Sequence, residues 1–341
     1  MSSTSDFHRR LERKVRQQLS GQKVGYLLGA GSSYLAGAGY PLASHLWPAI
    51  RKSMDAALCR EIQERLDEGA DGLENALDLL DPGRVDELPH RHAVTSAIAA
   101  LFEQLEPPSD NHAAFLQRLS RRTDFSVPVF CLNYDPLLER ASEQARVRLV
   151  DGYAGFENAY FAPEIFQFKM GAELRGSRYR QGGWVRGIVH LYKLHGSLGW
   201  FCSQDKGAIR RPFRGNAPPN SIRLMVPPQH RKAADTTAPP YSDLWSEFRR
   251  LVRHGPFPLN RLASIGYGMR DEHVNAVLEN GLARHNFTLM IFTRSLTDAA
   301  FERWSARPQV IVVTRRRCSM YEEVGEGHPD LWSFERLSHE V

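Results

Sequence analysis

Apolar positions along the chain follow two rhythms. Phe7, Leu11, Val15 and Leu19 recur four apart among charged neighbours, which predicts an N-terminal amphipathic helix within residues 1–20. Short apolar runs then predict buried strands at Lys23 to Leu28, Val127 to Leu132, Ile188 to Leu194, Leu262 to Ile265, Phe287 to Phe292 and Gln309 to Thr314, the last two closing the series. Between about 51 and 120 the period turns helical, as in Ile98, Leu101, Phe102 and Leu105, and a helical insertion is expected there. From about 201 to 260, Pro218-Pro219, Pro227-Pro228 and Pro239-Pro240 predict a loop-rich insertion too proline-dense for core strands. Apolar strands that end in small or polar residues before a helix predict an α/β fold over 21–341, a Rossmann-like parallel sheet with helices on both faces.

Composition narrows the class. With 42% hydrophobic and 24% charged residues the chain is an ordinary folded protein, neither collagenous nor low-complexity. Its apolar runs are far shorter than a membrane span, and its polar start leads to Arg9, Arg10 and Arg13 with no apolar leader, so a cytoplasmic location is expected. Cys59, Cys131, Cys202 and Cys318 stand alone, which builds neither a zinc ribbon nor a disulfide framework; Cys131 reads as a small buried hydrophobe. His90, His92, His230, His254 and His273 have no metal-ligand spacing, and no metal is expected. The net charge of +5 admits an acidic partner. The clusters Arg121-Arg122, Arg210-Arg211, Arg249-Arg250 and Arg315-Arg316-Arg317 lack the interleaved aromatics of a single-strand binding surface and read as solvated faces, while direct nucleic-acid contact is left undecided.

Candidate chemistry lies in the loops that follow the strands, where open parallel sheets bind ligands. Gly29-Ala30-Gly31-Ser32-Ser33 suits either a tight turn or a close approach to a pyrophosphate. A dehydrogenase fingerprint would have a third glycine at position 34, where Tyr34 stands, so hydride transfer is disfavoured. Further loops follow in order: Gly39-Tyr40-Pro41-Leu42-Ala43, Leu132-Asn133-Tyr134-Asp135, Lys193-Leu194-His195-Gly196-Ser197, and Ile265-Gly266-Tyr267-Gly268 with Asp271-Glu272-His273.

In this order the loops resemble the bacterial sirtuin-like family, in its divergent anti-phage defence branch, over about residues 21 to 315. The resemblance implies an NAD-binding core that cleaves the nicotinamide–ribose bond. Gly29, Ala30, Gly31 and Ser32, with Ser33 beside them, would hold the pyrophosphate. Asn133 and Asp135 would face the nicotinamide ribose, His195 would be the catalytic histidine, and Gly266 and Tyr267 would flank the adenosine side. Asp271 matches a recurrent acidic position at the cofactor. An asparagine can orient water or a ribose hydroxyl without adding charge, and a histidine can accept the proton.

Lysine-deacylating sirtuins usually carry a zinc module held by two close cysteine pairs, which this sequence lacks, so hydrolysis by water is expected, giving ADP-ribose and nicotinamide. Unrestrained turnover would drain the cell of NAD, so gating is expected, with the helical insertion, the N-terminal helix or the proline-rich segment masking the site until assembly or a trigger opens it; the resemblance implies a HerA-type hexameric ATPase partner, and self-assembly into a homo-oligomer is expected. A deacylase or ADP-ribosyltransferase, and a non-enzymatic NAD or ADP-ribose sensor, are the alternatives.

Overall fold

The structure, a computed structural model, describes residues 3–70, 72–80, 89–173, 182–203, 205–225, 238–254 and 258–340. The chain opens with helix α1 (Ser3–Leu19), strand β1 (Val24–Leu28) and a single helical turn, α2 (Ala30–Tyr34). Helices α3 (Ala43–Ile50), α4 (Ala56–Asp67), α5 (Gly72–Leu80), α6 (Pro89–Glu103) and α7 (Asp110–Ser120) follow. Strand β2 (Ser126–Cys131) leads to α8 (Leu137–Ala145) and the short strands β3 (Leu149–Val150), β4 (Tyr153–Ala154), β5 (Ala159–Phe161), β6 (Gly171–Glu173) and β7 (Gly182–Trp184). Then come β8 (Ile188–Lys193), β9 (Gly196–Ser203), β10 (Gly207–Arg210), β11 (Ser221–Met225) and α9 (Tyr241–Arg249). The last third holds β12 (Arg261–Ile265), α10 (Glu272–Leu282), β13 (Thr288–Phe292), α11 (Asp298–Ser305), β14 (Val310–Val313), β15 (Arg317–Met320), β16 (Glu323–Glu326) and α12 (Phe334–Leu337).

Among the described residues nine strands form the main sheet in the order β16-β15-β14-β13-β12-β1-β2-β8-β3. It is parallel from β14 to β3 and antiparallel only at β14-β15-β16. The runs read as buried strands owe their continuous apolarity to helices on both faces. Val24, Tyr26 and Leu28 of β1, with Val127, Val129 and Cys131 of β2, enter the core shared with α1 and α3–α8. Leu27 and Phe130 point to the opposite face and join the core of α9, α10 and α11. The α/β class, with its parallel sheet between two helical layers, is as expected.

The α1 stripe packs on this body: Leu11 and Val15 are fully buried, and Phe7 and Leu19 nearly so. Arg10 pairs with Glu323 on β16 (2.6 Å) and Arg16 with Glu340 (2.9 Å).

Two expectations need correction. The proline-rich stretch carries real structure, because its prolines fall between elements: Pro218-Pro219 precede β11, and Pro240 N-caps α9. Strands β11, β9, β10, β5 and β4 make a separate antiparallel sheet, so His195-Gly196-Ser197 leads into a strand rather than a helix. Pro227-Pro228 and His230, like the side chain of His254, lie outside the described residues. Second, β14 is not the last strand, since the β15–β16 hairpin extends the sheet. Among the described residues no helix is long and apolar enough to cross a membrane.

Candidate active site

Strands β12, β1, β2 and β8 are consecutive neighbours, and the loops at their carboxyl ends hold every site residue proposed from sequence. The chain leaves β1 for β2 on one side and returns to β12 on the other. Such a reversal opens a crevice above the strand ends.

The glycines of this rim interlock. Gly29 N donates to Ile265 O (2.9 Å) and Gly31 N to Gly266 O (2.8 Å), which brings the first and last loops backbone to backbone. A Cβ on Gly29 would stand 2.6 Å from Tyr267 Cα, and one on Gly31 2.8 Å from Gly266 Cα. Gly266 has φ +68°, in the left-handed region, and a Cβ there would stand 2.4 Å from Ser32 N. With Ser32 N donating to Gly29 O (2.9 Å), three amides of the turn are engaged internally, and Ala30 is its exposed residue. Close packing of two loops thus accounts for the glycines before any ligand is considered.

Asn133 ties the β2 loop to this turn. Its Nδ2 donates toward Gly29 O (3.0 Å), Ser33 Oγ (2.8 Å) and Ser32 Oγ (3.2 Å). No described residue donates to its Oδ1, which is the end left to meet a ligand. Asp135 is buried, and its Oδ1 accepts from Leu137 N (3.1 Å) at the start of α8.

His195, at the end of β8, exposes 7% of its surface. Its Nε2 lies 3.4 Å from Asp271 Oδ2, and both side chains are buried. Asp271 is held by its other oxygen, which N-caps α10 by accepting from His273 N (3.0 Å) and Val274 N (3.4 Å). Tyr267 fixes the same turn: its hydroxyl accepts from Asp271 N (2.8 Å) and has Asp271 O (3.0 Å) and Asn275 Oδ1 (3.2 Å) as acceptors. The acidic position recognised in the sequence is therefore both helix cap and histidine partner.

Three supporting residues escaped sequence reasoning. Lys193, fully buried on β8, pairs with Glu139 (3.0 Å) and donates to Asp135 O, which fastens the loop of Asn133 and Asp135 to the strand that carries His195. Burial works against the Lys193 charge, yet Glu139, with Cys131 and Asp135 nearby, holds its pKa above the ordinary lysine value. Trp245 of α9 donates from Nε1 to Leu194 O (3.1 Å), and its ring lies 6.3 Å from that of His195. The spacing of Tyr241, Leu244, Trp245 and Phe248 is a helical stripe, a signal that the flanking prolines obscured. Asn275, fully buried on α10, donates to Met269 O (3.0 Å) and steadies the loop after β12. Cys131 faces this edge from β2, but burial pushes its thiol up to about 12, so it stays neutral and is no nucleophile.

Among the described residues no group of three or more His, Cys, Asp or Glu is placed to hold a metal ion. His273 is the second residue of α10, and His90 pairs with Glu61 (2.8 Å) far along the chain from the rim.

Comparison with solved structures finds a serine-to-alanine mutant of a Sir2 homologue in complex with ADP-ribose, 14% identical over 96% of this chain and 95% of that one, with a TM-score of 0.48. A phenylalanine-to-alanine mutant of a Sir2 homologue with ADP-ribose is also 14% identical, over the same shares, with a TM-score of 0.46. A structure from work on sirtuin substrate affinity is 15% identical over 97% and 98%, with a TM-score of 0.40. No match to a curated protein was found. The model of the SIR2-like domain matches residues 128–313, more than half of the sequence and the stretch that holds Asn133, His195 and Asp271, and the chain belongs to the SIR2-like family.

Proposed function

We propose that the chain is an NAD glycohydrolase that converts NAD and water to ADP-ribose and nicotinamide. The observation that carries this reading is one rim that holds an oriented amide and a carboxylate-backed imidazole, Asn133 fixed on the glycine turn and His195 3.4 Å from Asp271. Membership of the SIR2-like family supports NAD as the substrate.

In the reaction a water oxygen bonds to C1′ of the ribose while the C1′–N bond to nicotinamide breaks. The electron pair of that bond neutralises the pyridinium ring, so the leaving group needs no acid. The water proton passes to His195, and the Asp271 carboxylate stabilises the imidazolium that forms. Asn133, its Nδ2 occupied, offers Oδ1 to orient the water or a ribose hydroxyl, with Asp135 beside it. Ala30, Ser32 and Ser33 take the pyrophosphate end, and Gly266 and Tyr267 the adenosine side. The four cysteines are isolated in sequence, which favours water over acyl-lysine as acceptor because the paired-cysteine module is not encoded.

Uncontrolled hydrolysis would drain the cell of NAD, which makes it a means of abortive anti-phage defence and calls for a gate. Following the family resemblance, we assign that gate to assembly of the chain with itself and with a HerA-type hexameric ATPase. The test is to incubate the full chain with NAD, with and without such an ATPase, and to follow nicotinamide and ADP-ribose by chromatography. Release abolished by Asn133→Ala and by His195→Ala supports the hydrolase. NAD binding without release under either condition would overturn it in favour of a sensor, and deacylation of an acyl-lysine peptide would replace it with a deacylase.

A further inference from the structure

At the amino ends of β2, β3 and β8, the edge opposite the catalytic rim, large apolar side chains remain in solvent. Phe125 is 41% exposed, Phe168 62%, Met170 46% and Trp184 58%. They converge because β6 and β7 fold as a two-stranded ribbon beside the start of β2. The Trp184 ring meets Phe125 edge-on (6.4 Å, 88°), and Val185 N donates to Met170 O (2.8 Å). Cations sit within the patch rather than around it. Arg186 lies 4.8 Å and Lys169 5.5 Å from the Phe125 ring centre, and the exposed Arg121 and Arg148 precede β2 and β3 on the same edge. Asp124, a carboxylate of this edge, is engaged by Arg122 (3.3 Å).

We propose that this edge binds single-stranded nucleic acid, with bases stacked on Trp184 and Phe168 and phosphates neutralised by Lys169, Arg186 and Arg121. Charge decides between occupants. A second copy docked two-fold through this patch would set the same cations against each other in a chain of net charge +5. Protein interfaces deplete lysine, whereas here Lys169 lies over the Phe125 ring within the patch. Exposed ring faces among cations suit a flexible anionic strand, which presents bases for stacking and phosphates for pairing.

The test is fluorescence anisotropy of the full chain with a labelled oligothymidylate of about 20 nucleotides, and with a duplex of equal length, at 50 and 200 mM salt. The single strand should bind in preference to the duplex. Trp184→Ala should weaken binding at least about fivefold with the salt slope unchanged. Lys169→Glu with Arg186→Glu should lower the log–log salt slope by more than about one unit. Arg60→Glu, an exposed charge reversal on α4, serves as the control for bulk charge and should leave affinity within about twofold. These side chains are exposed and outside the catalytic rim, so thermal melting checks that the variants fold. No binding at 50 mM salt, equal binding of the duplex, or equal loss in Arg60→Glu would overturn the proposal.

Discussion

Acidification to pH 5 is expected to cost the fold about 4 kcal/mol through two buried histidines. His112 on α7 is 1% exposed, and its ring lies tilted against Phe334 at 4.5 Å; burial, with a smaller contribution from Lys193, pushes its pKa down from 6.5 to about 3. His190 on β8 is 5% exposed beside Phe166, and burial pushes it down to about 4. Both are neutral in the folded chain and titrate near 6.5 when unfolded, so the unfolded state binds more protons as pH falls. Stability is therefore whole above pH 6.5 and declines below it toward the folded-state values. Each histidine contributes about 1.4 kcal/mol per pH unit over that range, which is about 2 kcal/mol by pH 5. Urea unfolding followed by circular dichroism at pH 7.5 and pH 5 measures the loss. His112→Phe, which keeps the contact with Phe334, should lose about 2 kcal/mol less than the parent chain between the two pH values. An equal loss in the variant would refute the reasoning.

Other expectations follow from the rim. Asp271→Asn keeps an N-cap for α10 but removes the charge facing His195, so NAD turnover should fall roughly ten- to a hundredfold with a melting temperature close to that of the parent; unchanged turnover would remove Asp271 from the mechanism. Gly266→Ala forces a side chain into a left-handed position with Ser32 N at 2.4 Å and should cost about 2 kcal/mol or more in urea unfolding, with loss of NAD binding by calorimetry. Lys193→Met leaves the half-buried Glu139 without its cation and should destabilise the chain by about 2–3 kcal/mol, seen as a drop in melting temperature; a variant as stable as the parent would show that the pair is dispensable.

Much of the fold was legible because helices on both faces make strands such as Val310–Val313 apolar throughout, a signal that needs no partner to read. The β15–β16 hairpin was not. Its alternation of Arg317, Cys318, Ser319 and Met320, then Glu323 to Glu326, becomes a strand pattern only when β14 lies alongside. The rim loops were legible as small and polar breaks after strands. The partnership of His195 with Asp271 was not, since the two lie 76 positions apart and follow strands β8 and β12, which are separated in the sheet by β1 and β2. The helix that bears Trp245 had a readable stripe, but prolines on its flanks argued for loop.

The interlocked glycines divide the rim for anyone who would redesign it. Positions 29, 31 and 266 have no room for even one carbon, so their identity is fixed by neighbouring backbone whatever the ligand. Ala30 is exposed, and a Cβ on Gly268 would meet nothing within 4 Å. A library that seeks a changed nucleotide preference should therefore vary Ala30 and Gly268 and hold the three glycines constant.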